Sequence, residues 1–334
     1  MKKTKIALVA CSNGLGHTRR LICLSNALRN YGSSPIIFAP KNKVHKISKA
    51  LGIVPPKSIN FNSSTKREDW LLNIENDWSN KLPPLNNYDH VISDNLIEIL
   101  KVRPDAWLSG SFFWHKSLSE FPDKKAETAE KLLKETNPRI ISSSLFTAPY
   151  IRPLPNLLEV GLYTIRQNNI HKHGSNILLS CGTGGEMKEK TMDLVNKIVK
   201  SGRPICNTLF IEPNFYSETM PYWIQPATFT EKMYSTIKCA VVRPGVGTVT
   251  EAILSGVYLF CFYEPENDEM KNNAKMISEA QLGENSIEIS DAWNNSQNWL
   301  KNPVAKSKYL AALSEIDYDG ANQSARAILG QDIL

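Results

Sequence analysis

Ala240-Val-Val-Arg-Pro-Gly245-Val-Gly-Thr-Val-Thr-Glu251-Ala-Ile-Leu-Ser-Gly256, continuing as Val257-Tyr-Leu-Phe-Cys-Phe-Tyr263, reads as buried strand, glycine turn, helix and second buried strand. The apolar run 239–242 is short and rich in β-branched residues, as a strand covered on both faces must be. Gly245 and Gly247 permit a sharp turn and a close approach of backbone to ligand. The amides of the helix's first turn carry partial positive charge and suit an anion such as phosphate. The same residues also have a reading without a ligand: Thr248 as N-cap and Glu251 three residues on form a capping box.

A polar loop leads on to Glu269-Met-Lys-Asn-Asn-Ala274. Arg-Pro-Gly-x-Gly-Thr-x-x-Glu, a second strand and then this segment resemble the nucleotide-binding half of the two-domain (GT-B fold) glycosyltransferases. The nearest relatives are family 28 and the UDP-glycosyltransferases. The resemblance implies that the turn carrying Arg243, Gly245, Gly247 and Thr248 holds the donor diphosphate. It further implies that Glu251 takes the ribose hydroxyls and that Glu269 meets the donor sugar. Met270 stands where the family usually has Gln, which leaves the sugar open. In the same family the junction matched by Phe229 and Thr230 packs on a uracil base; Phe229 also reads as a core residue.

Upstream, residues 176–181 form a strand that runs into Gly182-Thr-Gly-Gly185, with a helix over 186–201. Thr183 and Gly184 can offer amides or a hydroxyl to a phosphate. Residues 205–211 read as the next strand. The second half thus repeats the architecture of the first. There, residues 5–11 form a strand, Ser12-Asn-Gly14-Leu-Gly16-His17 a glycine loop, 17–31 a helix with Leu21, Leu24, Leu28 and Tyr31 on one face, and 35–39 a strand. Strand, glycine loop, helix, strand opens a doubly wound domain. A dinucleotide site is disfavoured, since G-x-G-x-x-G spacing and an acidic end to the second strand are both missing.

Gly14-x-Gly16-His17-x-x-Arg20 resembles the first loop of the same glycosyltransferases, which lies at the reaction centre between the domains, and the resemblance implies that Gly14, Gly16 and Arg20 bind substrate there. His17 is the expected general base. Asp94 is its expected orienting partner, because the strand 89–94 ends at the same sheet edge. A helix-capping or phosphate-bonding histidine is the alternative. His115 follows the strand 106–110 and three aromatics; it reads as a packed histidine or as part of an acceptor cleft. Residues 123–136 read as a charged helix, 139–143 as a strand, and 157–162 as the way out of the domain.

The 334 residues suit two domains. No apolar run is long enough to span a bilayer. A formal charge of +6 fits a phosphate-bearing ligand or an acidic membrane surface and falls short of a nucleic-acid footprint. The six cysteines lack C-x-x-C pairing and read as reduced, buried thiols of a cytosolic protein. Lys2, Lys3 and Lys5 before residues 6–11 mimic a signal peptide, but the apolar core is too short for one. Trp70, Leu71, Ile74 and Trp78 share a helical face that reads as core, or as an acceptor or membrane patch; Phe112 to Trp114 carry the same two readings. His171 and His173 lie in a polar linker without further ligands, so no metal is expected.

The expected fold class is α/β: two Rossmann-like doubly wound domains facing a cleft, with a C-terminal helix crossing back to the first. The boundaries are 1–163 for the acceptor domain, 164–175 for the linker, 176–304 for the nucleotide-sugar domain and 305–334 for the helical tail. The resemblance implies inverting glycosyl transfer from a UDP-linked sugar to a hydroxyl of a lipid or saccharide. It implies no cofactor, no metal and no nucleic acid, and a place in the cytoplasm or at the inner face of the membrane. Two rivals stay open. Gly-x-Gly-His-x-x-Arg also resembles the hydrolase of pseudaminic acid synthesis, so a nucleotide-sugar hydrolase or epimerase fits. A non-catalytic nucleotide-sugar-binding subunit fits as well.

Overall fold

The computed structural model describes residues 3–63, 78–165, 174–182, 187–301 and 306–331. Trp70, Leu71, Ile74, His171, His173, Thr183 and Gly184 lie outside them. The chain forms two compact units. One comprises residues 1–166 and 317–334, the other 167–316.

The first unit is built on a seven-stranded sheet: β1 (Lys5–Ala10), β2 (Ser34–Ala39), β3 (Ser58–Asn60), β4 (His90–Asp94), β5 (Trp107–Ser109), β6 (Ile140–Ser143) and β7 (Leu157–Val160). The order is β3-β2-β1-β4-β5-β6-β7, with every pairing parallel. β1 is central, and its side chains alternate between two cores. Ile6, Leu8 and Ala10 join Leu21, Leu24 and Leu28 of α1 (Gly16–Asn30). Ala7 and Val9, with Cys11 just beyond the strand, join Phe61, Leu96 and Leu108 on the opposite face. This two-sided burial explains why β1 reads as an unbroken apolar run. Residues 157–162, expected to leave the domain, instead supply β7 at the sheet edge, where Leu157 to Val160 pair with Ile140 to Ser143.

Two more helices belong to this unit early in the chain, α2 (Lys41–Ala50) and α3 (Asp123–Thr136). Trp78 is 2% exposed and meets Phe61 edge-on, so it is a core residue and no part of a surface patch.

The second unit holds a six-stranded parallel sheet: β8 (Asn176–Ser180), β9 (Leu209–Ile211), β10 (Ile224–Pro226), β11 (Ile237–Val242), β12 (Tyr258–Phe262) and β13 (Gly283–Ser286), in the order β10-β9-β8-β11-β12-β13. β9 begins four residues later than expected. Arg203 donates to the carbonyls of Cys206 and Asn207, holding that segment as a loop, and Ile205 is 51% exposed. The helices are α4 (Met187–Ser201), α5 (Val246–Leu254), α6 (Asp268–Glu279), α7 (Ile289–Lys301) and α8 (Lys306–Ser314).

The tail divides between the units. Tyr309 of α8 packs edge-on against Tyr258, which stacks on Trp299, all within the second unit. From Asp317 the chain belongs to the first unit, where α9 (Gly320–Ile328) lies against α1. Tyr163 joins them: its hydroxyl bonds Ser324 at 2.6 Å, and its carbonyl accepts from Arg19. Among the described residues no helix is long and apolar enough to cross a membrane.

Candidate active site

In each sheet the strand order reverses direction at one point, between β1 and β4 in the first and between β8 and β11 in the second. Loops leaving the carboxyl ends of such strands diverge to opposite faces and leave a crevice, the usual ligand position in open α/β sheets. His17 and Asp94 fall at the first of these edges and the turn from Arg243 to Thr248 at the second, each within its own unit.

At the first, Ala10 of β1 lies in register with Asp94, the last residue of β4. His17 is the second residue of α1, and its Nδ1 is 2.8 Å from Asp94 Oδ1. Arg20, one turn later, donates from Nε to Oδ2 at 2.6 Å and from Nη2 to Oδ1 at 2.8 Å. Asp94 is wholly buried, whereas 12% of the His17 side chain is exposed. Burial pushes the Asp94 carboxyl pKa up. The Arg20 charge and the bonds from Arg20 and His17 outweigh it, so the group is held below the usual carboxylate range. An ionised carboxylate only accepts, so Nδ1 carries a proton and Nε2 is the accepting nitrogen of the neutral ring.

Phe112 and Trp114 border the imidazole, with ring centres 6.5 and 5.9 Å away. Phe112 is buried and Trp114 half-buried, so these aromatics wall the histidine. His115 points elsewhere. It stacks on Phe113 and bonds Glu130 at 3.0 Å through Nε2, and its side chain is 2% exposed. Burial lowers its pKa, against the opposing pull of Glu130. It is a packed histidine.

Gly14 has φ 63°, a conformation that favours glycine, whereas a methyl group on Gly16 would meet no atom within 4 Å. The glycine loop is clamped by residues the motif does not contain. Lys43 donates to the carbonyls of Ser12 and Gly14, and Ser12 and Ser63 exchange two backbone-to-hydroxyl bonds. Burial lowers the Lys43 pKa. No local sequence signal marks Lys43 or Ser63, since they reach the loop only through the fold.

In the second unit the capping box is absent. α5 starts at Val246 with Gly245 as N-cap and no side-chain cap, so Thr248 is its third residue rather than its cap. The reason lies in the turn. Gly245 donates to the Arg243 carbonyl, and Asn273 Nδ2 holds the Pro244 carbonyl at 3.0 Å, so the helix opens three residues earlier than the capping pattern requires. Gly245 has an ordinary φ of −67°, and a methyl group there would touch nothing within 4 Å. Neither backbone strain nor packing within the described residues calls for glycine at this position. Glu251 is buried on the second turn of α5.

Arg243 Nε donates to both oxygens of Glu264, at 3.0 and 2.9 Å. Glu269 is half-buried in the first turn of α6, which Asn267 caps by accepting from the Met270 amide. Met270 itself is 3% exposed and belongs to the core. At the end of β9, Glu212 accepts from the Ser180 hydroxyl and from the Gly182 amide at 3.1 Å. This carboxylate occupies an amide of the first glycine loop, and nothing in its local sequence announces it. Phe229 is half-buried with φ 52°, outside the ordinary range for an aromatic residue. It is therefore no core residue. Thr230 caps the helical turn Glu231–Tyr234 by accepting from the Met233 amide.

No protein-family model matches the chain, and no curated protein matches it in sequence. Solved structures match it over nearly its whole length. Arabidopsis thaliana UGT89C1, solved with quercetin, shares 11% identity at a TM-score of 0.67, covering 98% of this chain and 100% of that one. LpCGTa, solved with UDP, shares 14% at 0.65 over 97% and 95%. The spinosyn rhamnosyltransferase SpnG, solved with thymidine diphosphate, shares 12% at 0.61 over 95% and 98%. The likeness is one of fold: two parallel α/β units in the order found in GT-B glycosyltransferases.

Proposed function

We propose that the protein is an inverting glycosyltransferase that moves a sugar from a nucleoside diphosphate, of the uridine or thymidine type, to an acceptor hydroxyl. The observation that carries this reading is the 2.8 Å bond between buried Asp94 and His17 Nδ1 at the switch point of the first sheet. It supplies the one group the chemistry requires, a base with its second nitrogen oriented by a carboxylate.

In the proposed step the acceptor oxygen attacks the anomeric carbon as its proton passes to His17 Nε2. The bond from that carbon to the diphosphate oxygen breaks, and the electron pair leaves with the nucleotide. The first-turn amides of α5 and the open backbone at Gly245 suit the leaving diphosphate. Glu251 would take the ribose hydroxyls, Glu269 the sugar, and Phe229 with Thr230 the base. The left-handed backbone at Phe229 supports a role for that residue, since strained conformations concentrate at binding sites. Leaving-group stabilisation by amides needs neither metal nor cofactor, and six free thiols fit a cytosolic setting.

Thermal-shift screening against nucleotides and nucleotide sugars tests the donor. A ligand at 100 times its Kd stabilises by about 2.7 kcal/mol. Stabilisation by UDP or TDP and their sugars supports the reading; stabilisation by NAD alone would refute it. Release of free sugar without any acceptor would turn the assignment to a hydrolase.

A further inference from the structure

Arg20 and Arg243 both grip a carboxylate, and they do so differently. Arg20 uses a fork, with Nε on one oxygen of Asp94 and Nη2 on the other. Arg243 shares Nε alone between the two oxygens of Glu264, at 3.0 and 2.9 Å. Among the described residues, neither Nη1 nor Nη2 of Arg243 meets an acceptor. The pair is nonetheless mostly withdrawn from water, with 17% of the Arg243 side chain and 10% of the Glu264 side chain exposed. The outer edge of this guanidinium is an unused pair of donors whose geometry matches the oxygens of a phosphate.

Both partners stand on anchored backbone. Val242 of β11 lies in register with Cys261 of β12, so Arg243 and Glu264 leave neighbouring strands at the same sheet edge. The Arg243 amide donates to the Ser180 carbonyl at 3.0 Å, and the Glu264 carbonyl accepts from the amide of Asn267, the cap of α6. Arg243 also stands two residues before Gly245, the N-cap of α5, and so belongs to the turn that opens onto the first-turn amides of that helix. Asn273 holds the same turn through the Pro244 carbonyl. The β12–α6 segment therefore braces this turn twice, once by its backbone and once by the guanidinium.

We propose that Glu264 is a positioning residue of the donor site: by holding Nε it presents the outer edge of the Arg243 guanidinium to the leaving diphosphate. The inference rests on the proposed transfer reaction and deepens it, since no motif in the sequence marks Glu264. A plain ion pair, in which Glu264 only cancels the Arg243 charge, predicts the opposite sign. A counter-charge repels an anionic ligand, so its removal would tighten diphosphate binding. A positioning carboxylate pre-orders the donors, so its removal loosens diphosphate binding.

Binding measurements on the full chain test it. The probes are UDP and TDP by calorimetry, and uridine and thymidine, which lack phosphate, by ligand-observed NMR titration. Arg243→Ala should weaken the diphosphates by about 10- to 100-fold, the scale of a charge-assisted bond, and leave the nucleosides at wild-type affinity. Glu264→Ala should cost the diphosphates most of that factor. Glu264→Gln, whose amide oxygen still accepts from Nε, should recover part of it. The double variant Arg243→Ala, Glu264→Ala should bind no more weakly than Arg243→Ala alone, because the carboxylate acts through the guanidinium. Circular dichroism checks the fold of each variant. Unchanged or tighter diphosphate binding by Glu264→Ala would overturn the proposal, as would equal losses for nucleoside and diphosphate, or additive losses in the double variant. Wild type that binds neither diphosphate would overturn the proposed function, and this inference with it.

Discussion

Arg20 grips both oxygens of Asp94, and Asp94 in turn holds His17 Nδ1, so the imidazole and its carboxylate partner are fixed by a residue of the same helix as the histidine. The sequence motif groups Arg20 with substrate-binding residues. The geometry gives its guanidinium a positioning task, because a fork of two parallel bonds fixes a carboxylate in plane and rotation. Arg20→Lys keeps the charge and loses the fork; it should lower kcat at least tenfold and leave nucleotide Kd near the wild-type value, as measured by single-turnover kinetics and calorimetry. A variant with weakened nucleotide binding and intact kcat would return Arg20 to a substrate role.

Asp94→Asn removes the charge that fixes the imidazole tautomer. Turnover should fall, by less than on loss of His17. Stability carries a separate signature. The Asp94 pKa is depressed in the folded state, so its contribution is present above the ordinary carboxylate value near 3.9 and is lost as pH falls through the folded value. Wild type should therefore lose its advantage over Asp94→Asn in acid unfolding below about pH 4. Parallel stability curves for the two proteins across that range would show that the ion pair contributes nothing.

Glu251→Gln separates two roles. Because Gly245 caps α5 and no capping box forms, this near-isosteric substitution should leave the start of the helix in place. If the carboxylate takes ribose hydroxyls, nucleotide affinity should weaken by roughly 1–3 kcal/mol, the scale of a charge-assisted bond. Calorimetry with the intact variant decides, and unchanged affinity would remove Glu251 from the site.

Gly320 opens α9 where a side chain cannot fit: a Cβ would lie 2.0 Å from the Gly161 carbonyl oxygen. Gly320→Ala should lift the tail from Tyr163 and cost about 1–3 kcal/mol, as overpacking does. Chemical denaturation measures it, and a wild-type midpoint would mean the tail does not brace this unit.

The local patterns made the two parallel sheets legible. Short β-branched runs, glycine turns and the three-four spacing of Leu21, Leu24 and Leu28 each carry their own physics. The end of strand 89–94 also placed Asp94 beside His17, since carboxyl ends of neighbouring parallel strands meet at one edge. What stayed hidden depends on contacts distant in sequence. Lys43 reaches the glycine loop from α2, and Glu212 reaches Gly182 from a neighbouring strand. The capping pattern at Thr248 misled because Asn273, 25 residues later, holds the turn that starts α5. β7 was missed because its edge position leaves only a short, partly polar run.

The central claim, nucleotide-sugar transfer with His17 as base, is tested most directly by nucleotide release. Wild type and His17→Ala are compared with UDP- and TDP-sugars against a panel of hydroxyl acceptors, with nucleotide Kd measured in parallel. The account predicts acceptor-dependent release by wild type, a loss of about 100-fold or more in His17→Ala, and a nearly unchanged Kd. Near-wild-type release by His17→Ala would contradict it.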